Sequence, residues 1–180
     1  MDAPLLRGPF PVAPLAALAA APHNGGVELT ATLDAPCSPE ALFAEVESLD
    51  TYPEWLSIVP RAERDPDIDP DGAQAWLVEL RGRIGPLARS KRLRMVRVAC
   101  EPPRVVRFER RELDGRAHSP WVLDAEVTPL GAGEGSRLTM HLRYGGSFGG
   151  AMLERLLRDE VAASRPRLRA RVLARATDDG

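Results

Sequence analysis

The side chains that commonly do chemistry are sparse in this sequence. Of its three histidines, His23 lies near the start, His118 is expected in a loop and His141 on the outer face of a strand. Cys37 and Cys100 have no histidine at ligand spacing, so we expect reduced, buried thiols rather than a zinc site or a disulfide. No nucleophile elbow, paired-cysteine motif or metal-binding helix motif is present. The sequence therefore predicts no catalytic residue, no cofactor and no metal.

Two glycine-rich segments do not predict a phosphate site. The segment "GAGEG" at 131–135 fits a hairpin connection, and no helix follows it. The segment "GGSFGG" at 145–150 precedes a helix, but it matches neither a P-loop nor a dinucleotide fingerprint. The formal net charge of -2 also lacks the basic excess that binding to a nucleic-acid backbone requires. Nucleic acid is therefore not an expected partner.

Large apolar side chains indicate a different chemistry, which is the binding of an apolar ligand. Alternate residues of a strand share a face, and several aromatic and methionine residues are in phase with the apolar faces of their strands. Tyr144 adds a hydroxyl that can orient one polar ligand atom. We expect a ligand-binding wall made of Trp55, Trp76, Met95, Trp121, Met140, Tyr144, Leu153 and Leu157. Such a site needs a cavity of about 300 Å³ or more.

The first elements that must position this wall are a strand and two short helices. Apolar and polar residues alternate from Val27 to Asp34, which predicts a strand with one buried face. The following segment "APCSPEALFAEVESLD" predicts a helix with Ser38 as its N-cap and Pro39 in its first position. A second short helix is expected to begin at Asp50 or Thr51 and to carry the chain to Trp55.

The rest of the chain predicts a meander and one long helix. After the acidic loop "RDPDIDPDG", period-two alternation returns in five segments joined by short connections, which indicates antiparallel strands. From residue 148 to about residue 175 the apolar residues fall at helical spacing. We expect one amphipathic helix there, bent near Pro166 because proline removes an internal hydrogen bond.

The chain length of 180 residues predicts one domain, at residues 27–176, followed by a short tail at 177–180. Residues 1–26 are rich in alanine and proline and are expected to form a flexible leader. They do not resemble a secretory signal, because Asp2 stands where a basic residue is usual and prolines interrupt the apolar run. A cytoplasmic location follows as the expectation.

Residues 27 to about 175 resemble the START-like (SRPBCC) superfamily, which includes polyketide cyclases and dehydrases, lipid-transfer domains and coenzyme Q-binding proteins. The resemblance rests on "LDAPCSPEALFAEVESLDTYPEWLSIV", "CEPPRVVRFE", "GSRLTMHLRYGGSF" and "LERLLRDEVAASRPRL". It implies an α+β helix-grip fold, in which a curved antiparallel sheet of about six or seven strands wraps around the long C-terminal helix. The short helix carrying Trp55 would close one end of an apolar cavity.

The resemblance implies binding of a small hydrophobic or amphipathic ligand, such as a lipid, isoprenoid or polyketide-like compound, by a carrier or sensor. One alternative is a polyketide cyclase or dehydratase. Another is an interaction module whose basic segment 81–111, expected to be a solvated sheet face, makes a transient contact with a membrane or a protein. The sequence leaves open the oligomeric state and whether Arg107, Glu109 or His118 reaches the cavity.

Overall fold

The computed structural model of the chain describes residues 26–84, 87–146 and 150–178. Most of the expected leader, including His23, and the last two residues of the expected tail lie outside the described residues. The strands are β1 (Val27–Ala35), β2 (Arg61–Arg64), β3 (Ala75–Ile84), β4 (Leu87–Glu101), β5 (Val105–Arg110), β6 (Trp121–Pro129) and β7 (Ser136–Tyr144). The helices are α1 (Pro39–Phe43), α2 (Gly150–Asp178) and two 3-10 helices, Leu49–Glu54 and Gly131–Gly133.

The strands form one antiparallel sheet in the order β1-β7-β6-β5-β4-β3-β2. Strands β3 to β7 form the expected meander, and β1 joins its far side by pairing with β7 from Val27 opposite Tyr144 to Ala35 opposite Ser136. Helix α2 packs against β1 and β3, across the concave face of the sheet. The predicted α+β helix-grip fold is confirmed.

The short elements after β1 agree with the predicted caps but differ in length. The Ser38 hydroxyl accepts a hydrogen bond from the Ala41 amide at 3.2 Å, and Pro39 takes the first position of α1. Helix α1 ends at Phe43, yet Val46 and Leu49 are buried with it in the same core. Strand β2 was not predicted, because it has four residues and only Ala62 among them is buried, too few for a readable period.

Strand β4 has buried residues on both faces, so its sequence alone does not show which residues face the interior. Leu93 and Met95 face the interior, whereas Val96 on the opposite face is also fully buried. The acidic loop at 65–71 folds over that opposite face and binds Arg94 there. A register shift between Arg97 and Ala99 then changes the pairing of β4 with β5.

One end of the interior is a solid aromatic core. The ring of Phe108 meets the edge of Trp76 at a centroid distance of 5.5 Å and that of Tyr52 at 6.5 Å. Tyr52 in turn packs on Trp55 at 4.7 Å and donates a hydrogen bond to the Val46 carbonyl. Burial raises the pKa of the Tyr52 hydroxyl well above its usual range, so this group stays a donor. The 3-10 helix Leu49–Glu54 therefore closes this end of the sheet.

A buried carboxylate ties α2 to the segment after α1. Glu45 is fully buried, and its two oxygens lie 3.1 Å from Arg171 Nε and 2.9 Å from Arg175 Nε. Arg171 also binds Glu54 in the 3-10 helix. These ion pairs hold the C-terminal half of α2 against the closed end of the sheet.

Both cysteines are free thiols. Cys37 is buried as expected, whereas Cys100 is only partly buried. Burial raises the pKa of both thiols, which keeps them in the unreactive protonated form.

Candidate functional site

An apolar cavity of about 120 Å³ lies between the concave face of the sheet, the 3-10 helix Leu49–Glu54 and the middle of α2. Its lining is almost entirely apolar. The sheet contributes Leu29, Ala31, Leu33, Val78, Leu80, Leu93, Met95, Trp121, Leu123, Leu138, Met140 and Leu142. The cavity therefore occupies the space where the family resemblance implied a ligand site.

The structure divides the eight predicted wall residues into two groups. Five of them line the cavity, namely Trp55, Met95, Trp121, Met140 and Leu157. The other three are not at its wall. Trp76 belongs to the solid core, and Tyr144 stacks on Trp121 with ring centroids 4.9 Å apart. Leu153 packs against the core and is partly exposed.

The remaining lining residues were missed as site residues, although the periods of their strands and helix are readable in the sequence. Val161 and Leu168 continue the apolar stripe of α2, and β1 contributes its alternate apolar residues. The polar members of the lining include Glu160, Ser164 and Arg165 of α2. The Ser57 hydroxyl donates to Glu160 Oε2 at 2.5 Å, so the partly buried Glu160 is held at this edge of the cavity.

The cavity of about 120 Å³ is smaller than the volume of about 300 Å³ that the predicted ligand site was expected to need, so the enclosed space alone does not meet that condition. The large side chains of Tyr52, Trp55 and Leu157 project into the space between the sheet and α2 and fill much of it. Some of the lining side chains, such as Leu123 and Leu142, are only partly buried. The cavity is therefore partly open to solvent on that side.

Replacing Leu157 with alanine is expected to lower the free energy of unfolding by about 2 kcal/mol or less, because the lost side chain enlarges a space that already exists. Leu42, which is fully buried and does not line the cavity, provides the matched control. Leu42→Ala should cost about 2–5 kcal/mol, the usual range for a packed leucine. Urea unfolding of both variants measures the difference. Equal losses would mean that Leu157 is part of a solid core.

The three polar residues left open by the sequence do not line the cavity. Val106 and Phe108 take the inner face of β5, so Arg107 and Glu109 lie on the outer face, where they form an ion pair of 3.0 Å. His118 binds Asp114 at 2.9 Å and the Arg110 guanidinium at 3.1 Å. His141 hydrogen-bonds to Thr30 between β7 and β1, on the outer face as expected.

The basic segment 81–111 is only partly the solvated face that the sequence predicted. Arg94 is buried and binds Asp65 at 2.6 Å and Asp69 at 3.0 Å. Arg111 binds Asp71 of the same acidic loop at 2.8 Å. The expectation is wrong for Arg94, because the acidic loop folds back and covers it. A membrane or protein contact through this segment stays a prediction, with fewer free charges to support it.

Acidification should destabilise the fold through Asp69. Burial pushes the pKa of its carboxyl upward, but hydrogen bonds from Arg94 and the Asp71 backbone, with the charge of Arg111, outweigh burial and hold the pKa below its usual value. A carboxyl whose pKa is lower in the folded than in the unfolded state stabilises the fold. This stabilisation is complete above the unfolded-state pKa of about 3.9 and is lost as the pH falls through the folded-state pKa.

We therefore expect the free energy of unfolding in urea to fall between about pH 5 and pH 2, and to fall less in Asp69→Asn. Asp71→Asn, at an exposed position of the same loop, is the control and should keep the wild-type drop. An unchanged pH dependence in Asp69→Asn would contradict this assignment.

The described parts of the chain offer no metal site and no membrane span. Within residues 26–84, 87–146 and 150–178, no three histidine, cysteine or acidic residues come together in a group that could hold a metal ion. Neither α1 nor α2, as far as they are described, is long and apolar enough to cross a membrane.

Solved structures share this fold at low sequence identity. The START superfamily protein from Mycobacterium smegmatis is 16% identical with a TM-score of 0.59, over 83% of this chain and 97% of that one. A protein from Thermus thermophilus, TTHA0849, is 18% identical with a TM-score of 0.62, over 82% and 98%. The di-domain ARO/CYC StfQ from the steffimycin biosynthetic pathway is 17% identical with a TM-score of 0.60, over 84% of this chain.

The present chain spans only about half of that di-domain protein, 52% of its length. The comparison with curated proteins gave no significant match. The family comparison is decisive, because the model described as polyketide cyclase / dehydrase and lipid transport matches residues 26–173. The START-like resemblance is thus confirmed, and the chain belongs to the polyketide cyclase / dehydrase and lipid transport family.

Proposed function

We propose that this protein binds a small hydrophobic or amphipathic molecule between the sheet and α2, and acts as a carrier or sensor of that molecule. The observation that carries the proposal is the cavity itself, whose lining is almost entirely apolar although it lies between polar outer faces. An empty apolar space forfeits the dispersion contacts that a bound molecule would supply. An apolar ligand gains those contacts and leaves water at the same time.

The volume limits what fits without rearrangement. A dry apolar cavity of about 150 Å³ holds one benzene ring, so the smaller volume of 120 Å³ here sets an upper limit of about one small ring or a short alkyl segment. A longer ligand would extend from the cavity through the side where lining residues such as Leu29, Leu123 and Leu142 are only partly buried. Met140 is also partly buried, and its flexible thioether can adapt to different ligand shapes.

Extraction of the purified protein tests this proposal. The protein is purified under native conditions and denatured in organic solvent, and the extract is analysed by mass spectrometry. Leu157→Trp, which adds bulk at the cavity wall, is processed in parallel as a background control. We expect an apolar or amphipathic compound near stoichiometric amount from the wild type and a strongly reduced amount from the variant. Equal recovery from both proteins would contradict the proposal.

A cyclase or dehydratase is the second candidate, favoured by the family and by the presence of Glu160 in the cavity lining. The fold shared with the ARO/CYC protein StfQ agrees with this candidate. A carboxyl at the edge of an apolar cavity can act as a general acid or base for a folded reactive chain. Turnover of a polyketide analogue, followed by its loss in Glu160→Gln with binding retained, would establish this activity. No turnover in the presence of demonstrated binding would leave the carrier or sensor.

A further inference from the structure

Lys91 is the only lysine of the chain and lies on the cavity side of β4. It alternates with Leu93 and Met95, which line the cavity, and pairs across the sheet with Leu80, another lining residue. The Lys91 side chain is exposed, at the end of this series of cavity-facing residues of β4. The ammonium group is therefore placed beside the apolar wall and remains accessible to solvent.

The curvature of the sheet brings Lys91 close to aromatic side chains of the opposite strands. Its Nζ atom lies 5.4 Å from the centroid of the Tyr144 ring. Tyr144 stacks on Trp121, and Trp121 lines the cavity. The Tyr144 hydroxyl is held against Gly146, where a Cβ atom would overlap with it. The Lys91 ammonium therefore lies next to the Tyr144 ring, which in turn packs on Trp121 of the cavity wall.

The charges around Lys91 leave its ammonium without a close carboxylate. Among the described residues, no carboxylate oxygen forms an ion pair with it, and the nearby Glu112 binds Arg110 Nε at 2.6 Å. Asp114 is engaged by His118. Desolvation, followed by the charge of Arg110, lowers the pKa of Lys91, and Glu112 opposes this shift only partly. An anion placed here would relieve the repulsion between Lys91 and Arg110.

We propose that Lys91 and Tyr144 form the head-group site for an anionic amphiphile, whose carboxylate or phosphate contacts the Lys91 ammonium while its apolar chain enters the cavity past Trp121. This inference rests on the proposed function and specifies its ligand class. A charge-assisted hydrogen bond from the ammonium to the anion is stronger than a neutral one. The site therefore selects a charged head group over an alcohol of the same chain length.

The test compares three ligands with the same ten-carbon chain, decanoate, decyl phosphate and decanol, by calorimetric titration. The wild type should bind at least one of the two anions about tenfold more tightly than decanol, and this preference should weaken at high salt. The preference should disappear in Lys91→Met, whereas affinity for decanol is kept. Arg92→Met is the control, because Arg92 is the exposed neighbour on the opposite face of the same strand.

Because the chain has one lysine, a second readout reports the contact directly. Reductive ¹³C-methylation keeps the positive charge and gives one lysine NMR signal, which Lys91→Met assigns. A bound anion should shift this signal and raise the pKa of the labelled amine, whereas decanol should leave that pKa unchanged. Equal affinity for the anions and decanol with an unmoved signal would overturn the head-group site while leaving ligand binding intact. Failure of all three ligands to bind would instead count against the proposed function.

Discussion

Replacing Arg94 with methionine is expected to lower the free energy of unfolding by about 3–5 kcal/mol, the usual cost of removing one partner of a buried ion pair. The Arg94 side chain is 4% exposed, and those of Asp65 and Asp69 are 6% and 3% exposed. Methionine fills a similar volume but removes the ion pair of the buried Asp65 and leaves the buried Asp69 to Arg111, whose guanidinium lies 3.2 Å from its Oδ2. The change also removes hydrogen bonds to the carbonyls of Asp67 and Arg111, which fasten the acidic loop to the sheet.

Urea unfolding at pH 7 measures this effect. Two further variants serve as a control and as a test of its cause. Arg92→Met, at an exposed position on the same strand, should change stability by less than about 0.5 kcal/mol. The triple variant Arg94→Met, Asp65→Asn, Asp69→Asn should recover part of the loss, since it removes the buried charges left without Arg94. A single Arg94→Met variant as stable as Arg92→Met would show that the acidic loop does not cover β4 in solution.

Phe108→Ala is expected to cost about 3–5 kcal/mol, the range for removing a buried aromatic side chain. Phe108 is fully buried, meets the edges of Trp76 and Tyr52, and does not line the cavity. The surrounding rings are held by β3 and the 3-10 helix, so they cannot collapse easily into the space left behind.

Met140→Ala provides the contrast, because Met140 lines the cavity and is only partly buried. Its loss should cost less than about 2 kcal/mol. Thermal and urea unfolding of the two variants would distinguish the solid end of the interior from its open part. A Met140→Ala variant as destabilised as Phe108→Ala would show that the cavity region is tightly packed.

The local periods of the sequence determined most of the fold. The alternation in β1 and β7 predicted both strands but not their pairing with each other, which no local pattern contains. The same signal could not separate Trp76 from Trp121. Both are in phase with the inner face, but Trp76 packs on Phe108 in the solid core, whereas Trp121 lines the cavity. Whether an inward-facing residue lines the cavity depends on how far α2 and the 3-10 helix Leu49–Glu54 extend over the curved sheet.

Charge patterns were the less reliable guide, because ion pairing is set by tertiary contacts. Arg92 and Arg94 belong to the same basic segment, yet the acidic loop buries Arg94 and leaves Arg92 exposed. In the sequence, Lys91 is distinguishable as the only lysine and as part of a basic segment, but neither property places it beside the cavity. Its position beside Tyr144 follows from the curvature of the sheet across three strand pairings, which the sequence does not display.

The most direct test of the ligand cavity is calorimetric titration with benzene, a single apolar ring, comparing the wild type with Leu157→Trp and Leu173→Trp. Leu157 lines the cavity, whereas Leu173 lies on the exposed face of the same helix. We expect saturable binding of benzene by the wild type and by Leu173→Trp, and a loss of at least about tenfold in affinity in a folded Leu157→Trp. Equal binding by all three proteins, or none by the wild type, would contradict an apolar binding site between the sheet and α2.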